Sequence, residues 1–158
     1  MDLSGNTELL DKDLVAFFAS RSSPQEALAL AQQWAHKIVK TDKIVISGFH
    51  SPIERAVLDI LLTEGCSAVI TLGRSLYRKI PSHLLSAYDE NRILFVSFRN
   101  QTRPSLSNSQ IRNWLTADLA SEIVFAHSTI EANSRHFTFH LPTEEYTAKF
   151  YSSTLFHL

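Results

Sequence analysis

Three short segments carry side chains that could do chemistry together. Ser47-Gly48-Phe49-His50 follows the apolar triplet Ile44 to Ile46 and opens onto Ser51-Pro52-Ile53-Glu54. Ser20 and Arg21 stand in the same relation to an apolar run, Leu14 to Ala19, and Gly73 and Arg74 to another, Ala68 to Leu72. A turn of small residues leading into a helix is a way for backbone to approach phosphate, because the helix N-terminus offers unpaired amides and roughly half a positive charge. Ser47 with Gly48 is either such a turn or simply the exit from a strand. Arg21 is either an anion clamp or an exposed loop charge. The chemistry in question is anion binding, not bond breaking.

Charge points the same way. The chain has 15 basic and 16 acidic residues, a formal charge of −1, which excludes a surface that is basic all over but not a local basic patch. Residues 73 to 112 hold seven basic groups (Arg74, Arg78, Lys79, Arg92, Arg99, Arg103 and Arg112) against Asp89 and Glu90, while both flanking segments are acidic. The alternative is a solvated loop with scattered arginines.

Several other chemistries are excluded or disfavoured. With four glycines, the chain has neither a GxGxxG fingerprint nor a Walker loop, which argues against nicotinamide chemistry and ATP hydrolysis. The single cysteine, Cys66, rules out an internal disulfide and a cysteine-based metal cluster. His136 and His140 are four apart on an expected strand, roughly 13 Å, too far to share a metal. Ser47, His50 and Asp59 could be assembled into a triad on paper, but the strained GxSxG elbow is missing. No metal and no cofactor is expected. Trp34 reads as core; Trp114 and Tyr77 either stack on bases near the basic edge or, for Trp114 above all, pack in the core.

The elements that would position these residues repeat. Leu14 to Ala19 has the wholly apolar pattern of a strand buried on both faces, and Ser23-Pro24-Gln25-Glu26 has the pattern of an N-cap, a first-turn proline and a capping-box acid. Ser51-Pro52-Ile53-Glu54 repeats that device after the next strand. Strands at Ala68 to Leu72, Ile93 to Phe98 and Ile123 to Ala126 follow, with a helix from a capping box at Ser107 to Gln110 as far as about Asp118. His136 to Leu141 adds an edge strand and Thr143 to Leu155 a closing helix. Alternating strands and helices predict an α/β, three-layer Rossmann-like fold with a mainly parallel sheet of five to six strands, whose ligands bind at the carboxyl ends of the strands. A chain of 158 residues, 44% hydrophobic, is the size of one domain, here residues 1–158, with residues 1–12 a flexible N-terminus. No basic and apolar leader and no apolar run of about 18 residues is present, so a soluble, cytoplasmic protein is expected.

The order of the pieces resembles the Rossmann-like core of the DNA-processing protein DprA (Smf) family, part of the wider SLOG superfamily. Ala19-Ser20-Arg21 stands where that family has Gly-Ser-Arg. Ser47 to Glu54 aligns without gaps on Ser-Gly-x-Ala-x-Gly-Ile-Asp, keeping Ser47, Gly48, Ile53 and an acid at Glu54, with Pro52 in place of a glycine. Leu72-Gly73 followed by Ile80-Pro81 is similar to the family's leucine-glycine and later Tyr-Pro. Arg112-Asn113 opens a segment similar to Arg-Asn-Arg-Ile-Ile-Ala-Gly-Leu-Ser, with Trp114 for an arginine and Asp118 for a glycine. The resemblance spans about residues 14 to 127. It implies a non-catalytic domain that binds single-stranded DNA or a nucleotide at the carboxyl edge, forms a homodimer, and hands the strand to the RecA recombinase in DNA processing.

The contact candidates are Ser20, Arg21, Ser47, Gly48, Phe49, His50, Gly73, Arg74, Arg112 and Asn113. Arg21, Arg74 and an exposed Arg112 supply charge, Ser47 and Gly48 allow close backbone approach, and Asn113 gives an amide contact or supports its neighbour. One alternative is a SLOG-type nucleotide sensor or hydrolase with Glu54 or His50 as general base. Another is an interaction module that binds no nucleotide.

Overall fold

The computed structural model describes residues 1–21, 23–98, 106–126 and 147–150. Its centre is a seven-stranded sheet built from β1 (Asp2–Gly5), β2 (Leu14–Phe18), β3 (Ile44–Ser47), β4 (Ala68–Leu72), β5 (Ile93–Ser97), β6 (Glu122–Phe125) and β7 (Thr147–Phe150). The spatial order is β1-β5-β4-β3-β2-β6-β7, with β1 antiparallel to β5 and every other pair parallel. The helices are α1 (Gln25–Ile38), α2 (Pro52–Thr63), α3 (Ser82–Asp89) and α4 (Leu106–Asp118). This is the mainly parallel α/β, Rossmann-like fold read from the strand and helix alternation.

The strands β2 to β5 step steadily in one direction, so right-handed crossovers put α1, α2 and α3 on one face. After β5 the chain reverses and returns beyond β2, which places α4 on the other face. The two apolar clusters record this. Val15 and Phe17 of β2 join Trp34, Val57 and Leu84 on the first face, while Leu14, Ala16 and Phe18 join Ala117 and Leu9 on the second. Period-two alternation on a strand buried on both faces sends neighbours to opposite cores. Trp34 stacks on Phe17 with ring centroids 4.8 Å apart. The order reverses between β2 and β6, the kind of switch point where open α/β sheets form a crevice.

Four expectations are corrected. Residues 1–12 are not a flexible arm but β1 and a 3-10 helix, Thr7–Asp11. That segment has too little apolar alternation to read as a strand; pairing with β5, the Ser4–Tyr88 hydroxyl contact at 2.9 Å and an Asn6 bond to the Asn91 carbonyl hold it. Residues 147–150, expected within a closing helix, form β7 beside β6. Ser23 does not cap α1: the helix starts one residue later with Pro24 at the N-cap, and the Ser23 hydroxyl is buried with no hydrogen-bond partner among the described residues. Ser107 lies inside α4 rather than capping it. The expected edge strand at 136–141 lies outside the described residues, as do His127, Arg99 and Arg103.

Candidate anion site at the carboxyl edge

The site is organised by Glu54. Ser51 caps α2 by accepting from the Glu54 amide at 3.1 Å, and Glu54 Oε2 accepts from the Ser51 amide at 3.1 Å, a complete capping box with Pro52 in the first turn. The carboxylate goes further than capping. Oε2 also accepts from the His50 amide at 2.7 Å, and Oε1 accepts from Ala19 at the end of β2 at 3.1 Å. Glu54 therefore ties the exits of β2 and β3 to the start of α2, and it is 6% exposed. The amides of His50, Ser51 and Glu54, expected to be free for an anion, are committed within the protein.

Between β3 and α2 the chain makes a tight turn. Ser47 is fully buried, and its hydroxyl accepts from the Phe49 amide at 3.3 Å. Phe49 is buried with φ at 50°, the left-handed region, which bulky residues rarely adopt and which costs about 1–3 kcal/mol. Such strain is concentrated at binding and switch sites. No sequence signal marked it, since the position that would announce a left-handed turn holds phenylalanine rather than glycine.

Arg112 lies against this turn, and here the structure departs from the sequence expectation. Instead of an exposed phosphate contact, Arg112 is 6% exposed, with its guanidinium against Gly48. Nε and Nη2 donate to Asn113 Oδ1 at 3.0 and 2.6 Å, so Asn113 supports its neighbour. Nη1 is buried and has no hydrogen-bond partner among the described residues. Burial pulls the guanidinium below the usual arginine range, Glu54 pulls it back up, and Arg21 adds to the lowering. Thr116 fixes the helix beneath by bonding the Arg112 carbonyl at 2.7 Å and the Thr71 hydroxyl at 2.8 Å. Gly48 is thus required by the protein's own arginine, whatever ligand approaches.

Around the turn the field is positive. His50 reaches the surface, yet desolvation and then the charges of Arg112, Arg21 and Arg55 hold its imidazole down to about 4. Ser20 and Arg21 are exposed just after β2. Arg55, on the exposed side of α2, was missed by sequence reasoning because an arginine in a helix reads as a surface charge. Gly73 and Arg74 belong to the neighbouring exit. Gly73 packs beside the Asn108 backbone, and Arg74 Cζ sits 5.4 Å from the centre of the Tyr77 ring. The Arg74 carbonyl accepts from the Ser97 hydroxyl at 2.8 Å, and no hydrogen bond or ion pair among the described residues joins Arg74 to Arg112. Trp114 is 48% exposed on α4, so it is not a core residue.

The fold has relatives. DNA processing protein A from Streptococcus pneumoniae superposes with a TM-score of 0.67 at 20% identity, over 82% of this chain and 47% of that one. The protein of the same name from Helicobacter pylori, described for its single-stranded DNA binding mode, gives 0.65 at 18% identity, over 84% of this chain and 62% of that one. The chain thus spans about half to three fifths of their length. No curated protein sequence matches it. Among the described residues no helix is long and apolar enough to cross a membrane. The family model described as DNA recombination-mediator protein A matches residues 2–136, so the chain belongs to that family.

Proposed function

We propose that this domain binds the phosphate backbone of single-stranded DNA at the carboxyl edge of its sheet, without catalysis, in DNA processing. The observation that carries this is the buried Nη1 of Arg112, a charged donor with no hydrogen-bond partner among the described residues, beneath the Gly48-Phe49-His50 turn. An unsatisfied buried donor is costly, roughly 1–3 kcal/mol and more for a charged group, and an anion admitted by movement of the Gly48-Phe49-His50 turn would complete it. Arg21 and Arg55 add charge from the exposed rim, and α2 directs the positive end of its dipole to the same place. Membership of the family and the single-stranded DNA binding of the Helicobacter pylori relative support the choice of ligand.

Hydrolysis with Glu54 as general base is disfavoured by its geometry, because both carboxylate oxygens are engaged by backbone amides. Homodimerisation belongs to the same proposal and is tested by light scattering at tens of micromolar protein. The binding test is fluorescence anisotropy with a labelled single-stranded oligonucleotide across a salt series. Three neutralised phosphates give a log-log slope of roughly −2, at about −0.7 for each. Absence of binding at low salt, or affinity indifferent to salt, overturns the proposal.

A further inference from the structure

The site as it stands is closed. Arg112 is 6% exposed with its guanidinium against Gly48, so an anion reaches Nη1 only when the Gly48-Phe49-His50 turn moves. Three features of that turn set how it moves. Its hold is narrow: Glu54 Oε2 accepts from the His50 amide at 2.7 Å, and the Ser47 hydroxyl accepts from the Phe49 amide at 3.3 Å. Its backbone is strained, with Phe49 at φ 50°. It also has room beside it. A cavity of about 140 Å³ between α2, α3 and the end of β4 is lined by Phe49 itself, with the buried side chains of Leu58, Ile70 and Leu84 on its other walls. An apolar cavity of roughly 150 Å³ accommodates a benzene ring, so this one has the size of a single phenyl group.

We propose that the turn is a latch: Glu54 holds it shut over Arg112, and when it opens the Phe49 ring shifts into the neighbouring cavity and the guanidinium is uncovered. The proposal rests on the anion-site reading above and adds its regulation. Opening breaks the bond from the His50 amide to Glu54 and lets Phe49 leave the left-handed region. Glu54 keeps the Ser51 and Ala19 amides, so the cap of α2 and the exit of β2 stay in place. The open turn then presents a freed His50 amide beside Nη1, two donors for the oxygens of one phosphate. Strain at Phe49 and the buried charge of Arg112 favour opening, while the Glu54 bond and the burial of the Phe49 ring favour closure. A ligand that binds only the open turn shifts that balance.

Stopped-flow association of the protein with an excess of labelled single-stranded oligonucleotide tests this. The observed rate should level off with oligonucleotide concentration at the rate of opening. Glu54→Gln keeps the size of the side chain but leaves one acceptor oxygen for amides on two sides. It should raise the plateau and tighten binding about tenfold, the effect of losing one hydrogen bond to a charged group. Leu58→Phe fills the cavity and should lower both by about the same factor, because the Phe49 ring then has nowhere to go. If either variant melts early, relaxation dispersion of the His50 amide in the wild-type protein replaces it, with an opening rate equal to the plateau expected. A rate that grows linearly throughout, a plateau that both variants leave unmoved, or a His50 opening rate unlike the plateau overturns the latch and leaves the anion site standing. Absence of binding by the wild type and Glu54→Gln alike removes the anion site and the latch with it.

Discussion

A methyl group placed on Gly48 would sit 2.5 Å from both Cζ and Nη1 of Arg112, and 3.0 Å from its Nε. The exit of β3 and the first turns of α4 therefore meet through a glycine and an arginine far apart in the sequence, and neither can change without the other. Because Arg112 lies on the opposite face of the sheet from α2, this contact passes the charge of one layer to the turn that starts a helix of the other.

Gly48→Ala should displace the guanidinium. Overpacking at a filled site costs about 1–3 kcal/mol, and DNA affinity should fall with it, because Nη1 no longer lies under the turn. A denaturant midpoint and an anisotropy titration on the same variant check both. An unchanged midpoint would mean that Arg112 moves aside freely and is not held by Asn113.

Arg112→Met separates charge from packing. Methionine keeps much of the length and removes a buried charge whose Nη1 has no partner among the described residues, so stability is expected to change by about 1 kcal/mol or less, in either direction. The salt slope for single-stranded DNA should flatten by about 0.7, the loss of one neutralised phosphate. A loss of several kcal/mol with the slope unchanged would make Arg112 a purely structural residue.

The two serines once equivalent in the sequence pattern should part company. Ser51→Ala removes the hydroxyl that accepts from the Glu54 amide and should cost about 1 kcal/mol. Ser23→Ala removes a buried hydroxyl with no partner among the described residues and should be neutral or slightly stabilising. Urea unfolding of both variants decides it, and equal losses would restore Ser23 as a cap.

That contrast shows what was legible. Ser51 to Glu54 is a local motif, its partners three residues apart, so residue types alone announced it. Ser23-Pro24-Gln25-Glu26 has the same letters, but proline serves at the N-cap as well as inside the first turn, and tertiary packing chose the former. The parallel sheet was readable because β2 is a short, wholly apolar run and β4 and β5 are apolar but for Thr71 and Ser97. β1 and β7 were not, since edge strands lack that pattern and depend on one neighbour. At the site, the Ser47-Gly48 turn and the pairing of Arg112 with Asn113 lay at expected positions. The burial of Arg112 did not show, because it depends on a glycine from another layer. The cavity was equally hidden, since its walls come from α2, β4 and α3.

His50 provides a pH test of the whole constellation. Its imidazole is held down to about 4, against an ordinary value of 6.5, chiefly by desolvation and then by Arg112, Arg21 and Arg55. The unfolded chain thus takes up a proton near 6.5 that the folded chain refuses until about 4. This contribution to stability is fully present above 6.5 and is lost as pH falls from 6.5 through 4. Urea midpoints measured across that window should decline, and His50→Gln should flatten the decline. A phosphate bound at Arg112 brings the opposite charge, so the imidazole of the DNA complex should titrate higher than in the free protein. Proton NMR of the His50 ring with and without oligonucleotide measures this directly. A free-protein value near 6.5 would show that the arginines do not crowd His50, and an unshifted value in the complex would place the phosphate elsewhere.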